Sequence, residues 1–172
     1  AEALMRTENY REAISIFKYL IELDGSKDAY YTSMANAHIS LGEPIEAAKL
    51  LEIIFRTSRP AISVLNLLGD IYLNNLMPGL AVRPYLAAFE AEGTVNAARV
   101  VRTTRALMQR SFYTEAETYL DRAESYLEER GLKESTLSDL LNLRAEMALG
   151  QGQSSEAAEI LEEVIQLEPM NG

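Results

Sequence analysis

The 172-residue sequence contains no cysteine, which removes disulfide frameworks, thiolate metal sites and cysteine nucleophiles together. A single histidine, His38, leaves no material for a histidine metal cluster or a proton relay. The 5 prolines and 9 glycines are scattered, so collagen-like and Pro-rich linker classes are excluded. No apolar run approaches the roughly 20 residues of a membrane-spanning helix, so no direct membrane insertion is expected. No signal-peptide pattern is present; a mature chain loses such a segment, so this excludes little. Calcium loops of the Asp-x-Asp-x-Asp-Gly type and Gly-rich phosphate loops are also missing. Positive charge is scarce: 16 Lys and Arg against 26 Asp and Glu give a net −10, which argues against nucleic-acid binding. What is present, 48% apolar and 24% charged residues, is the balance of a folded domain.

Five segments resemble one another: Tyr10–Phe17, Pro44–Leu51, Pro78–Tyr85, Tyr113–Leu120 and Ser154–Leu161. They share Ala13, Ala47, Ala81, Ala116 and Ala157, spaced by 34, 34, 35 and 41 residues. Before the last four segments the pattern predicts helices over Ala29–Leu41, Ala61–Asn75, Thr94–Arg110 and Ser135–Gly150. Gly42 and Gly152 stand where a glycine ends a helix. The repeating element is helix, tight turn, helix, short link, and repeats of this period indicate a solenoid.

These residues resemble a tetratricopeptide repeat. The family's first-helix pattern is matched by Leu65, Leu68-Gly69 and Tyr72, its turn glycine by Gly42 and Gly152, and its second-helix alanine by the five alanines. Its large residue four positions later appears as Phe17, Leu51, Tyr85, Leu120 and Leu161, and its closing proline as Pro169, with Pro60 one place late. The resemblance implies an all-α fold, a right-handed α-solenoid of antiparallel helix pairs. It implies one array over 1–172, with repeats near 1–27 (truncated), 28–61, 62–96, 97–134 (with an insertion around Glu129–Ser135) and 135–172. Thr103-Thr104 and Ser111 depart from the family's Leu-Gly and turn glycine. No polar capping helix follows Leu161, Val164, Ile165 and Leu167. We therefore expect a stretch of a longer array, or an end covered by self-association.

Chemistry finds little support. Residues 111–172 hold 14 acidic and 4 basic side chains, and pairs such as Glu128-Glu129 and Glu162-Glu163 read as solvated helix faces. His38 stands at the family's tyrosine position and reads as a structural histidine. No catalytic residue, cofactor or metal is expected, and the chain does not read as an enzyme.

In tetratricopeptide repeats the first helices line a concave face that touches peptides. Carried onto this sequence, that groove is lined by Asn36, Asn66, Asp70, Asn74, Arg102, Arg105, Gln109 and Asn142, with Thr32, Ser33, Ser40, Ser63, Asp139 and Glu146 beside them. Asparagine both donates and accepts, which suits an extended peptide backbone. Arg99, Arg102, Arg105 and Arg110 form a basic stretch; residues 61–110 carry five arginines against three acids. Arginine forks bind carboxylates, so an acidic partner is one expectation. The other is pairing within the chain, around Glu115 or Glu146. The family's Lys-Asn-Asn-Lys-Arg clamp for a terminal carboxylate meets Thr32, Asn36, Leu67, Ala98 and Arg102, two matches in five, so a chaperone-tail clamp is disfavoured.

The leading expectation is a protein–protein interaction scaffold holding a partner's peptide in its concave groove. A second is a type III secretion-like chaperone, suggested by Phe17–Asp24 followed by Tyr30-Tyr31. A third is homo-oligomerisation through the C-terminal helix. Cysteine-free repeats suit an oxidising compartment and are common in a bacterial cytoplasm, so the cytoplasm is favoured only slightly over the periplasm.

Overall fold

The computed structural model of the chain describes residues 1–91, 97–131 and 134–167. Pro169, Met170–Gly172, Thr94 and the insertion residues Leu132 and Lys133 lie outside the described residues. Among those described there are ten α-helices and no strand. The first helices of the hairpins are α1 (Glu2–Arg6), α3 (Asp28–Ser40), α5 (Ile62–Asn74), α7 (Ala97–Met108) and α9 (Glu134–Gly150). The second helices are α2 (Tyr10–Leu23), α4 (Pro44–Thr57), α6 (Pro78–Ala91), α8 (Tyr113–Glu128) and α10 (Ser154–Leu167). The chain divides into two compact units, Ala1–Pro84 and Tyr85–Gly172.

Each hairpin closes in the same way. One residue takes a left-handed backbone: Glu8 (φ 60°), Gly42 (74°), Leu76 (59°), Ser111 (63°) and Gly152 (79°). The next residue's N–H then donates five residues back, Glu43 to His38, Met77 to Tyr72 and Gln153 to Ala148 at 2.9 Å, and Phe112 to Leu107 at 3.1 Å. In these four turns the left-handed residue donates three back, as Gly42 does to Ile39 at 2.9 Å. This pair of bonds satisfies carbonyls that a helix C-terminus otherwise leaves open. Each left-handed residue precedes a repeat alanine by five positions, and each alanine is the fourth residue of its helix.

The core follows from that register. All five repeat alanines are at most 1% exposed, because a larger side chain there would hold the helices apart. Phe17, Leu51, Tyr85 and Leu120, four positions later, are buried, whereas Leu161 is 38% exposed. On the first helices a small-residue column runs through Ala35, Gly69, Thr104 and Ala145, all buried. Thr104 is the departure in that column, and its Oγ1 is buried with no hydrogen-bond partner among the described residues. An unsatisfied buried hydroxyl costs about 1–3 kcal/mol.

In the N-terminal unit α3 packs on both α2 and α4, and α4 also on α5. His38 helps close the second hairpin, its half-buried ring Nδ1 lying 2.7 Å from Glu43 Oε2. In the C-terminal unit α7 packs on α8 and α9, and α9 on α10. Tyr85 meets Tyr119 edge-on at 6.5 Å, and Phe89 meets Tyr126 at 5.1 Å. The Tyr126 hydroxyl donates to the Glu90 carbonyl at 3.0 Å, and the Arg130 guanidinium lies over the Tyr126 ring. Part of the extra length between the fourth and fifth repeats goes into α8 and α9, of 16 and 17 residues, against 12 to 14 in α2–α7 and α10.

The turns make a direct prediction. Leu76 is 73% exposed, so its side chain contributes little packing while its Cβ strains a left-handed backbone. Leu76→Gly is expected to raise unfolding free energy by about 1 kcal/mol, and Gly42→Ala to lower it by a similar amount. Urea denaturation of the two variants checks both signs; a destabilised Leu76→Gly would contradict the shared turn geometry.

Candidate functional site

Helix α7 buries Val100, Thr103, Thr104 and Leu107, which turns Arg102 and Arg105 outward, with Gln109 just past its end. Helix α9 presents Asp139, Asn142 and Glu146 beside them. Two adjoining hollows result. The larger, about 590 Å³, is lined by Ala98, Val101, Arg102, Arg105, Ala106, Gln109 and Asp139. The smaller, about 300 Å³, shares Val101, Arg105 and Asp139 and adds Asn142, Ala145, Glu146, Leu149 and Leu161. Four of the eight groove residues picked from sequence therefore come together in the C-terminal unit: Arg102, Arg105, Gln109 and Asn142.

The two arginines differ in state. Arg105 forms a two-pronged pair with Glu146, Nε to Oε2 at 3.0 Å and Nη2 to Oε1 at 2.5 Å. That bond raises the Arg105 pKa, burial opposes the rise, and the charges of Glu146 and Asp139 add to it. Of the two roles expected for Arg105, pairing within the chain is the one the geometry displays. Arg102, exposed, has no hydrogen-bond or salt-bridge partner among the described residues. The position of α9 is fixed from the other side by Arg144, which reaches Asp121 Oδ1 at 2.7 Å and both carboxylate oxygens of Glu124 on α8. The Glu124 bond is the first cause of a raised Arg144 pKa, with burial opposing.

The other four residues lie in the N-terminal unit. Asn36 is exposed on α3; on α5, Asn66 is half-buried and Asp70 and Asn74 are exposed. The hollow described in this unit is elsewhere, about 420 Å³ lined by Ile45, Ala48, Lys49, Glu52, Ile53, Arg56, Tyr72 and Met77. Sequence reasoning passed over it, although Ile45 and Ile53 stand two turns apart on one face of α4. At its floor the Tyr72 hydroxyl donates to Glu52 Oε2 at 3.1 Å, and Arg56 Nε donates to Glu52 Oε1 at 2.8 Å. Burial, then the Glu52 charge, pushes the Tyr72 pKa up to about 12.

Among the described residues no three His, Asp or Glu side chains gather as a metal site, and no helix is long and apolar enough to cross a membrane. Glu128, Glu129, Glu162 and Glu163 are exposed.

No protein-family model matches the sequence, and no curated protein matches it. Solved structures do match. YrrB, described as a TPR protein with an unusual peptide-binding site, is similar with a TM-score of 0.59 at 16% identity, over 99% of this chain and 84% of that one. MamA gives a TM-score of 0.59 at 14% identity, over 98% and 87% of the two chains. A structure described as kinesin light chain TPR-like repeats from Podospora anserina gives 0.50 at 18% identity, over 97% and 90%. Identities this low speak to architecture alone. The chain has the tetratricopeptide-repeat fold, all-α and built from helix hairpins.

Two outcomes are expected. The Arg105–Glu146 pair is about half exposed on both sides (49% and 43%), so its coupling in a double-mutant cycle with Arg105→Ala and Glu146→Ala should be under about 1 kcal/mol and fade in high salt; a salt-insensitive coupling above that would contradict a solvent-screened pair. Tyr72 holds its proton more tightly when folded than the ordinary value of about 10, so stability is intact below pH 10 and falls as pH rises toward about 12. Urea midpoints measured from about pH 9 to pH 11 should fall less for Tyr72→Phe than for wild type; equal slopes would contradict the shift.

Proposed function

We propose that the chain is a protein-interaction scaffold, a binder rather than a catalyst, which holds a peptide segment of a partner against the outward faces of its first helices. The repeat boundaries and the single array read from sequence belong to this proposal. The observation that carries it is the double hollow on α7 and α9, where Arg102, Arg105, Gln109 and Asn142 converge. Asparagine and glutamine there can satisfy a peptide main chain, and the Arg105–Glu146 fork lies between them. YrrB, of similar fold, is described as having a peptide-binding site. The C-terminal unit holds 8 basic and 16 acidic side chains, a net −8, which disfavours a nucleic acid as partner.

Self-association is a second reading, favoured by Leu161 and Ile165, 38% and 66% exposed on α10. It would appear as mass that rises with concentration.

A pull-down with wild type beside Arg102→Glu/Asn142→Ala tests the leading reading, since both changes leave Arg105–Glu146 intact. Partners captured by wild type should drop at least about tenfold with the folded variant, a loss of 1.4 kcal/mol or more. Equal capture by both would place the contact away from α7 and α9.

A further inference from the structure

Arg102 on α7 and Asp139 on α9 line the same hollow of about 590 Å³. Both are exposed, their charges are opposite, and neither has a hydrogen-bond or salt-bridge partner among the described residues. Nearby opposite charges do pair: Arg105 takes Glu146, and Arg144 takes Asp121 and Glu124. Arg102 and Asp139 thus lie across one depression without a bonded partner, the Asp139 charge acting at longer range on Arg105, with the Arg105–Glu146 ion pair beside them.

A uniformly acidic ligand fits this poorly. Glu146 already occupies the Arg105 fork, Asp139 faces the incoming charge, and the surrounding unit carries a net −8. A uniformly basic ligand meets the unpaired Arg102. The arrangement favours a ligand that is itself dipolar, because each pole then gains a partner and no charge is left buried beside a like one.

The geometry points to a peptide segment carrying an acidic and a basic residue close together, the carboxylate on Arg102 and the cation on Asp139, with its main chain bracketed by Gln109 and Asn142. This rests on the peptide-scaffold reading and names the class of segment it takes. Packed helices lie about 8–10 Å apart and an extended chain rises about 3.3 Å per residue, so the two ligand charges stand roughly two or three residues apart. With Gln109 and Asn142 setting which way the bound main chain runs, a segment has one preferred order of acid and base along the chain.

The test uses the full chain, immobilised, and a random peptide library displayed on phage. Wild type is compared with Arg102→Glu/Asp139→Arg, which leaves net charge unchanged and alters two exposed positions; circular dichroism and melting confirm that both fold. Wild type should enrich peptides with Asp or Glu and Lys or Arg two or three residues apart in one order. The exchanged variant should enrich the reverse order and bind the best wild-type peptide about tenfold more weakly. Peptides that are uniformly acidic, or uncharged, and still lost on Asn142→Ala would overturn this inference and leave the scaffold reading standing. No enriched peptide, or peptides indifferent to every change on α7 and α9, would overturn both.

Discussion

Five alanines, each the fourth residue of a second helix and each at most 1% exposed, set the distance at which the hairpins close. Nothing larger fits at those points without separating two helices, and their spacing fixes the period of the whole chain. The turn five residues upstream is the other half of the constraint. A left-handed residue there reverses the chain and lets two backward N–H bonds close the first helix. The alanine's own N–H then donates to the carbonyl of the residue just before the second helix, as Ala116 does to Phe112 at 2.9 Å. Turn, crossing and helix start are one device, repeated five times.

From that device the site follows. Because α7 turns Val100, Thr103, Thr104 and Leu107 inward, Arg102 and Arg105 must face out. Because Arg144 ties α9 to Asp121 and Glu124 on α8, the row of Asp139, Asn142 and Glu146 is held beside them. The resulting surface is mixed rather than basic: one arginine is consumed by Glu146 and the other is open opposite Asp139. As the binding face proposed above, such a surface would select by the arrangement of charge and gain little from net charge.

The helices, their order and the buried alanines were legible because they rest on small residues and apolar spacing, both written directly in the sequence. The first-helix expectations for α3, α5 and α9 start and end within one residue of Asp28–Ser40, Ile62–Asn74 and Glu134–Gly150. Glycine announced the left-handed turns at Gly42 and Gly152, and the repeat register placed Ser111 at the same position; Glu8 and Leu76 adopt that backbone with nothing in the sequence reading to mark them. The site was half legible. Outward polar positions can be counted from the helical period, which is how Arg102, Arg105, Gln109 and Asn142 come to be named together; the structure shows them lining adjoining hollows. Which charges would pair could not be counted, since Arg105 and Glu146 lie 41 residues apart and meet only once α7 packs on α9. The apolar hollow beside α4 was missed because Ile45 and Ile53 look like ordinary core residues until their neighbours are placed.

The most direct test of the account is amide hydrogen exchange on the full chain, with and without a saturating peptide taken from the library selection. The account predicts that exchange slows in α7 and α9, above all around Arg102–Gln109 and Asp139–Glu146, while α8 changes little. Slowing confined to α8, or to the N-terminal unit, would contradict it.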